Sequence, residues 1–313
     1  MSNRTTDWQE GNRAEIKVTA IQTGTANCHT KQEIGPAEWG PTRRKIGIMM
    51  DKEWAGPLPI YAYLVEHPEG NFLVDTGDSA HNSEKDWLPK LNPFFQKEVQ
   101  IRVAPEEEVG PQLTGLGVDA AKDLKAVVMT HMHHDHTGGL NHFPHTEILA
   151  DPAGLKAARR KRGLIGAVPR TWPRWFDPKP FVYDAGPVGP FQRSASLTSD
   201  GAIRIVETPG HMEGHVCVIA RGIDHTYILA GDLTYRERNL MDDAVDGVTY
   251  SVETSLASQR GIKAIGEAEP SILLPAHDPD AVARLEAGRT MNASAEVSLE
   301  APVNGMPVAA VAK

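Results

Sequence analysis

The sequence predicts an α/β fold built on mixed β-sheets. Three observations carry that prediction. Nine short apolar runs, bounded by turn residues and rich in branched side chains, recur along the 313 residues, and their length and composition read as strands. Four stretches with helical spacing are interleaved with them. One pair of runs is separated only by Pro-Glu-Gly at 68–70, the spacing of a hairpin. Hairpins and helical crossovers in one chain call for mixed rather than purely parallel sheets.

In chain order the expected strands are 16–23, 59–67, 71–77, 125–131 and 146–151, then 202–210, 215–221, 226–232 and 271–277. The helical patterns are 117–124, 152–161, 251–267 and 279–288. Three segments break this rhythm. Residues 24–57 form a long connection bearing Gly, Pro and Trp, and residues 163–200 are rich in Pro and aromatics. Residues 289–313 are rich in Ala, Val and Ser, a composition that suits a flexible tail. The expected division is an N-terminal extension over 1–15, one folded domain over 16–288, and the tail.

Composition narrows the function. Lys and Arg number 32 against 41 Asp and Glu, a net charge of −9. The densest cationic run, RRKR at 159–162, reads as a solvated helix face. A nucleic-acid partner is therefore not expected. Cys28 and Cys217 are the only two cysteines, far apart and in no CxxC pairing, which argues against disulfides and thiolate metal sites. The polar N-terminus lacks the apolar core of a secretory leader. No apolar run reaches the roughly 18 residues of a membrane span. A cytoplasmic protein is the expectation.

The chemistry-bearing residues stand at strand ends, where side chains turn into a crevice. Five of the expected strands end in DTG, THMHHDH, TPGH, GD and PAH. Taken alone, THMHHDHTGG at 130–139 is compatible with a solvated His-rich loop. Imidazoles and carboxylates at five separate strand ends point instead to a metal site assembled from several strands. His131 and His133 alternate, so on extended chain they face the same way. Asp135 and His136 follow where the chain turns toward Gly138 and Gly139, so each pair can serve a different metal.

The THMHHDHTGG motif resembles the signature of the metallo-β-lactamase superfamily of hydrolases. NFLVDTG upstream, then ETPGHMEGH at 207–215, AGD at 230–232 and PAHD at 275–278 follow in the order of that family. The resemblance covers roughly residues 16–285 and implies a four-layer αβ/βα sandwich with a dinuclear metal site along one edge. Carried over by position, it implies one metal held by His131, His133 and His211, another by Asp135, His136 and His277, and Asp232 bridging the two. Zinc is the expected metal, with iron, manganese and cobalt as alternatives. His134 occupies the variable position and should face away. His215 matches a position more often structural, and Asp75 one that orients ligands by hydrogen bonding. His29, His67, His81, His142, His145 and His225 are expected at the surface or behind the ligands.

Such a site implies hydrolysis by a metal-bridging hydroxide, but not which substrate. Tyr235, three residues past Asp232, has a spacing similar to the N-acyl homoserine lactone lactonases, whose tyrosine reaches toward the substrate carbonyl. The plainer reading is a tyrosine packed on a loop. The lactonase resemblance implies Tyr235 and Asp135 as catalytic residues, the latter passing a proton to the leaving oxygen. Organophosphate and ester hydrolases of this fold are the nearest alternative. A glyoxalase II-type thioesterase fits less well, because residues 251–313 hold few basic residues, and a degenerate non-enzymatic scaffold would have lost ligands. Met49, Met50, Trp54, Trp87, Leu88, Phe94 and Phe95 suit either a pocket for the acyl chain of an acylated lactone or packing in a core or homodimer.

Overall fold

The structure, a computed structural model, describes residues 13–84, 87–89, 99–161 and 166–291. Two sheets form the middle of the molecule. The first has seven strands in the order β4-β1-β2-β3-β5-β6-β7. They are β1 (Lys17–Cys28), β2 (Leu58–Glu66), β3 (Asn71–Val74), β4 (Val99–Arg102), β5 (Leu124–Val128), β6 (Ile148–Ala150) and β7 (Lys179–Pro180). β4, β1, β2 and β3 are antiparallel neighbours, and β3, β5, β6 and β7 run parallel. The second sheet has five strands, β12-β11-β10-β9-β8. These are β8 (Ala195–Ser196), β9 (Ile203–Glu207), β10 (Val216–Arg221), β11 (Thr226–Gly231) and β12 (Ser271–Pro275), with only β11 and β12 parallel.

Helices cover both outer faces, which gives the expected four-layer sandwich. The helices are α1 (Thr30–Glu33), α2 (Pro41–Met50), α3 (Val109–Gly115), α4 (Ala120–Asp123), α5 (His134–Thr137), α6 (Pro152–Lys161), α7 (Glu237–Met241), α8 (Val252–Ala268) and α9 (Ala281–Glu286). Between the sheets, Tyr63, Val65, Phe72 and Val74 pack against Ile205, Val218, Leu229 and Ile272. Leu73 and Val127, on the other face of the first sheet, meet Leu113 of α3 and Ala158 of α6. Ile219 and Ile228 meet Ile262 and Ile265 of α8 on the far side of the second sheet. Central strands are thus buried on both faces and read as continuous apolar runs. Met291 packs beyond α9 against Gly266 of α8.

The largest departure from expectation is 24–57, read as a connection but holding α1 and α2. Only Arg44, Gly47 and Ile48 of α2 are buried, so its inward face carries no apolar stripe to read. Of the expected helix over 117–124 only the short α4 forms; α3 ends before it, and Gly117 between them has a φ of +77° that few other residues tolerate. His67 and His29 are buried rather than superficial. His67 donates from Nε2 to Asp200 at 3.0 Å, while Glu69 takes hydrogen bonds from Ser199. This clasp joins the β2–β3 turn of one sheet to the turn before β9 of the other.

Behind the site, Arg284 of α9 is 1% exposed and meets Glu237 at 2.7 Å, Asp278 at 2.6 Å and the Leu273 carbonyl at 2.9 Å. Asp278 also accepts from the Glu237 amide. Arg284→Ala would strand two buried carboxylates, so we expect a loss of about 3–5 kcal/mol in denaturant unfolding. A change below about 1 kcal/mol, the range of surface pairs, would reduce this network to an incidental contact.

Candidate metal centre

All five strand ends meet at one edge of the sandwich. β3 and β5 are parallel neighbours, so Asp75 and the segment 129–136 leave the first sheet side by side. β11 and β12 do the same in the second sheet, delivering Asp232 and His277. Backbone hydrogen bonds stitch the segments across the gap, among them Val216 N to the Thr130 carbonyl and Tyr61 N to the Ala276 carbonyl, both 2.9 Å. Asp75 adopts φ of +61°, a conformation rare outside glycine that accumulates at functional sites.

The seven expected residues converge into two groups. His131, His133, His211 and Asp232 form one, and Asp135, His136 and His277 the other; within each, the donor atoms lie within 4.8 Å of one another. In the first, His133 Nδ1 is 2.9 Å from His131 Nε2 and 3.0 Å from His211 Nε2. Asp232 Oδ2 is 3.8 Å from His131 Nε2 and 3.4 Å from His211 Nε2. Its other oxygen, Oδ1, is 3.2 Å from Nε2 of both His136 and His277. Asp135 Oδ2 is 3.5 Å from His277 Nε2. A metal held tetrahedrally at about 2.0–2.1 Å needs donors roughly 3.3 Å apart, which these edges match. His136 Nε2 and Asp232 Oδ1 are buried without hydrogen-bond partners of proper geometry, as donors awaiting a cation would be. The residues fit a pair of divalent ions with Asp232 between them.

The outer nitrogens fix which lone pair faces inward. Asp75 Oδ2 takes His136 Nδ1 at 2.8 Å and the Thr130 hydroxyl at 2.7 Å, and Thr130 Oγ1 lies 3.1 Å from His131 Nδ1. His277 Nδ1 meets the Pro59 carbonyl at 2.8 Å, and His211 Nδ1 meets Asp246 at 2.9 Å. His215 stays outside both groups. Its Nε2 accepts from the Asp232 amide at 3.1 Å, setting that residue's backbone. His134 turns away toward Asp78, 3.2 Å distant.

Electrostatics follow the geometry. Burial, and then the neighbouring His211, push His133 down to about 3. On His277 burial opposes the proton, but the negative charges of Asp232 and Asp135 beside Nε2 outweigh it and raise the ring to about 10. His136 is raised in the same way by Asp232 and Asp75. A cation must displace those protons, so its binding weakens as the pH falls.

Sequence reasoning missed Asp246 and the Pro59 carbonyl. Asp246 accepts from the amides of Val248 and Thr249, so in sequence it reads as an ordinary turn aspartate. A third group, His67, Glu69 and Asp200, also has ligand-like proximity. There the Glu69 amide donates to His67 Nδ1 at 3.0 Å, which leaves the proton on Nε2 and no lone pair for a metal. Met49 and Met50 lie on the outer face of α2, 49% and 73% exposed. Trp54 stacks on His29, and Trp87 on His81. Phe94 and Phe95 lie outside the described residues.

Residues 55–277 match the family model of the metallo-beta-lactamase superfamily. The chain belongs to that superfamily. Within it, N-acyl homoserine lactonase AttM of Rhizobium radiobacter is 23% identical over 276 residues, 87% of this chain and 97% of that protein. An N-acyl homoserine lactonase of Bacillus thuringiensis is 25% identical over 228 residues, 71% and 82% of the two chains. The chain spans only 44% of another relative, the metallo-hydrolase mfmC of Annulohypoxylon moriforme, at 29% identity over 182 residues and 52% of this chain. A solved N-acyl homoserine lactone hydrolase, with N-hexanoyl-L-homoserine at its catalytic metal centre, shares the fold. Its TM-score is 0.69 at 20% identity, covering 87% of this chain and 96% of that one. AidC, a dizinc quorum-quenching lactonase, shares it at a TM-score of 0.57 and 15% identity over 86% and 89% of the chains. Family and site together support a metal-dependent hydrolase. Among the described residues no helix is long and apolar enough to cross a membrane.

Proposed function

We propose that this protein opens the lactone ring of N-acyl homoserine lactones, using two divalent ions, zinc by preference, held by the seven residues above. The observation that carries the reading is the position of Tyr235. Its ring centre lies 5.1 Å from that of His277 and 6.2 Å from that of His211, so it stands beside both ligand groups. Divalent ions there would polarise a carbonyl and supply a water-derived nucleophile near neutral pH. Tyr235 would then donate its hydroxyl proton in a hydrogen bond to the carbonyl oxygen as negative charge develops. Asp135, with its side chain 17% exposed at the edge of the second group, would take up the proton released from the attacking water and pass it to the departing ring oxygen.

The wall beside Tyr235 is apolar: Cys28 and Leu58 pack on it, with Ala55 against them. Burial pushes the Cys28 thiol up to about 12, so it lines the wall as a neutral group. Trp54, stacked at 4.1 Å on His29, would extend that wall along an acyl chain. A homodimer belongs to the same reading, and the exposed Ile46, Met49 and Met50 of α2 are the apolar surface it would cover. Light scattering of the purified protein checks that point.

The deciding experiment is a panel of acyl homoserine lactones, p-nitrophenyl esters, paraoxon-type esters and a thioester, assayed with metal-loaded protein. Each methylene buried on the wall contributes up to about 0.8 kcal/mol, nearly fourfold. We expect kcat/KM to rise along the acyl series and then level off, and Trp54→Ala to flatten the rise without slowing a short-chain lactone. A flat acyl series beside faster paraoxon hydrolysis would move the assignment to an organophosphate hydrolase.

A further inference from the structure

We propose that Asp246 is a positioning residue for the metal ligand His211, and that Arg44 of α2 holds the loop that carries it. The inference rests on His211 being a ligand, as in the reading above, but not on which ester is cleaved. Asp246 and His211 are 4% and 3% exposed. One carboxylate oxygen of Asp246 accepts from the amides of Val248 at 2.9 Å and Thr249 at 2.7 Å. The other accepts from the Thr249 hydroxyl at 2.5 Å and faces His211 Nδ1 at 2.9 Å. With three of its partners obligate or committed donors, this carboxylate can only accept from His211. The imidazole proton is therefore held on Nδ1, and the lone pair of Nε2 is aimed at His133 and Asp232. Asp75 does the same for His136 in the other group, so each group has its own orienting carboxylate.

The loop that carries Asp246 is fastened to the α1–α2 segment as well as to Gly210, past the end of β9, and to Gln259 of α8. Gly35 N donates to the Val245 carbonyl at 2.8 Å, and Gly247 N to the Gln32 carbonyl at 2.9 Å. A Cβ on Gly247 would stand 2.1 Å from the Lys31 carbonyl oxygen, so only glycine allows the two backbones to approach this closely. Arg44, 1% exposed, reaches across from α2. Its Nη1 donates to the Trp39 carbonyl at 3.0 Å and its Nη2 to the Thr249 carbonyl. The α1–α2 segment contributes no ligand, yet it sets the residue that sets a ligand.

The test is a metal titration, read by competition with a chromophoric chelator and by the visible spectrum of the cobalt-substituted protein. Asp246→Asn should weaken one of the two metal equivalents by about 10- to 100-fold, the usual cost of losing such an outer partner, and leave the other unchanged. Asp246→Glu should recover part of the loss. Arg44→Met should weaken the same equivalent to a smaller degree, because the carboxylate survives but its loop is loosened. Asp246→Asn that binds both equivalents as tightly as the unsubstituted protein would overturn the inference, as would equal weakening of both. Unsubstituted protein that binds no metal would instead overturn the metal-centre reading itself. Circular dichroism selects folded variants, and the asparagine substitution keeps the shape of the side chain should larger changes fail to fold.

Discussion

On the proposed two-metal reading, Asp232→Ala is expected to abolish hydrolysis and to leave bound metal at one equivalent or none. The two oxygens of this carboxylate divide the site: Oδ2 faces His131 and His211, and Oδ1 faces His136 and His277. Asp232 is 1% exposed and its backbone is held by His215, so its carboxylate is fixed between the two groups. Without it, five imidazoles would face two cations with Asp135 as the only carboxylate among the ligands. Loss of metal-assisted catalysis is worth several kcal/mol, a fall in kcat/KM on the order of 10³ or more. Elemental analysis of the purified variant and its rate on a lactone check both halves. A folded variant with two metals and an undiminished rate would remove the basis of the proposed chemistry.

How much of this was legible in the sequence depends on what each residue must satisfy. His131, His133, Asp135 and His136 were legible because ligation demands those residue types close together at a strand end, and no packing role does. The strands were legible where burial made continuous apolar runs, as in β2, β10 and β12. α2 was not, because its buried face is built from Arg44, Gly47 and Ile48, and a buried arginine looks like a surface residue in any hydropathy pattern. Asp246 was hidden for a related reason. Its turn-forming hydrogen bonds are local and common, whereas its contact with His211 spans 35 residues and exists only once α1, α2 and the loop after α7 are packed together. Met49 and Met50 face outward on α2, and hydropathy alone could not separate a pocket from an outer apolar surface.

Tyr235→Phe is expected to lower kcat by roughly 10- to 1000-fold, the range for losing one donor to a developing oxyanion. The ring is 6% exposed and packs in the cluster with Cys28 and Leu58, and phenylalanine preserves every one of those contacts. Its hydroxyl is held in the neutral form, because burial first, and then the charge of Asp232, push it well above the ordinary tyrosine value of 10.0. The donor is therefore protonated across the neutral and mildly alkaline range, and the wild-type rate should show no loss there from tyrosine ionisation. Because the hydroxyl would act on the carbonyl and not on the acyl chain, short- and long-chain lactones should slow by the same factor. Metal content should stay at the wild-type value, which separates loss of a donor from damage to the ligand groups. An unaltered kcat on lactones would return Tyr235 to a packing role and leave the metal centre with no observation favouring lactones over other esters.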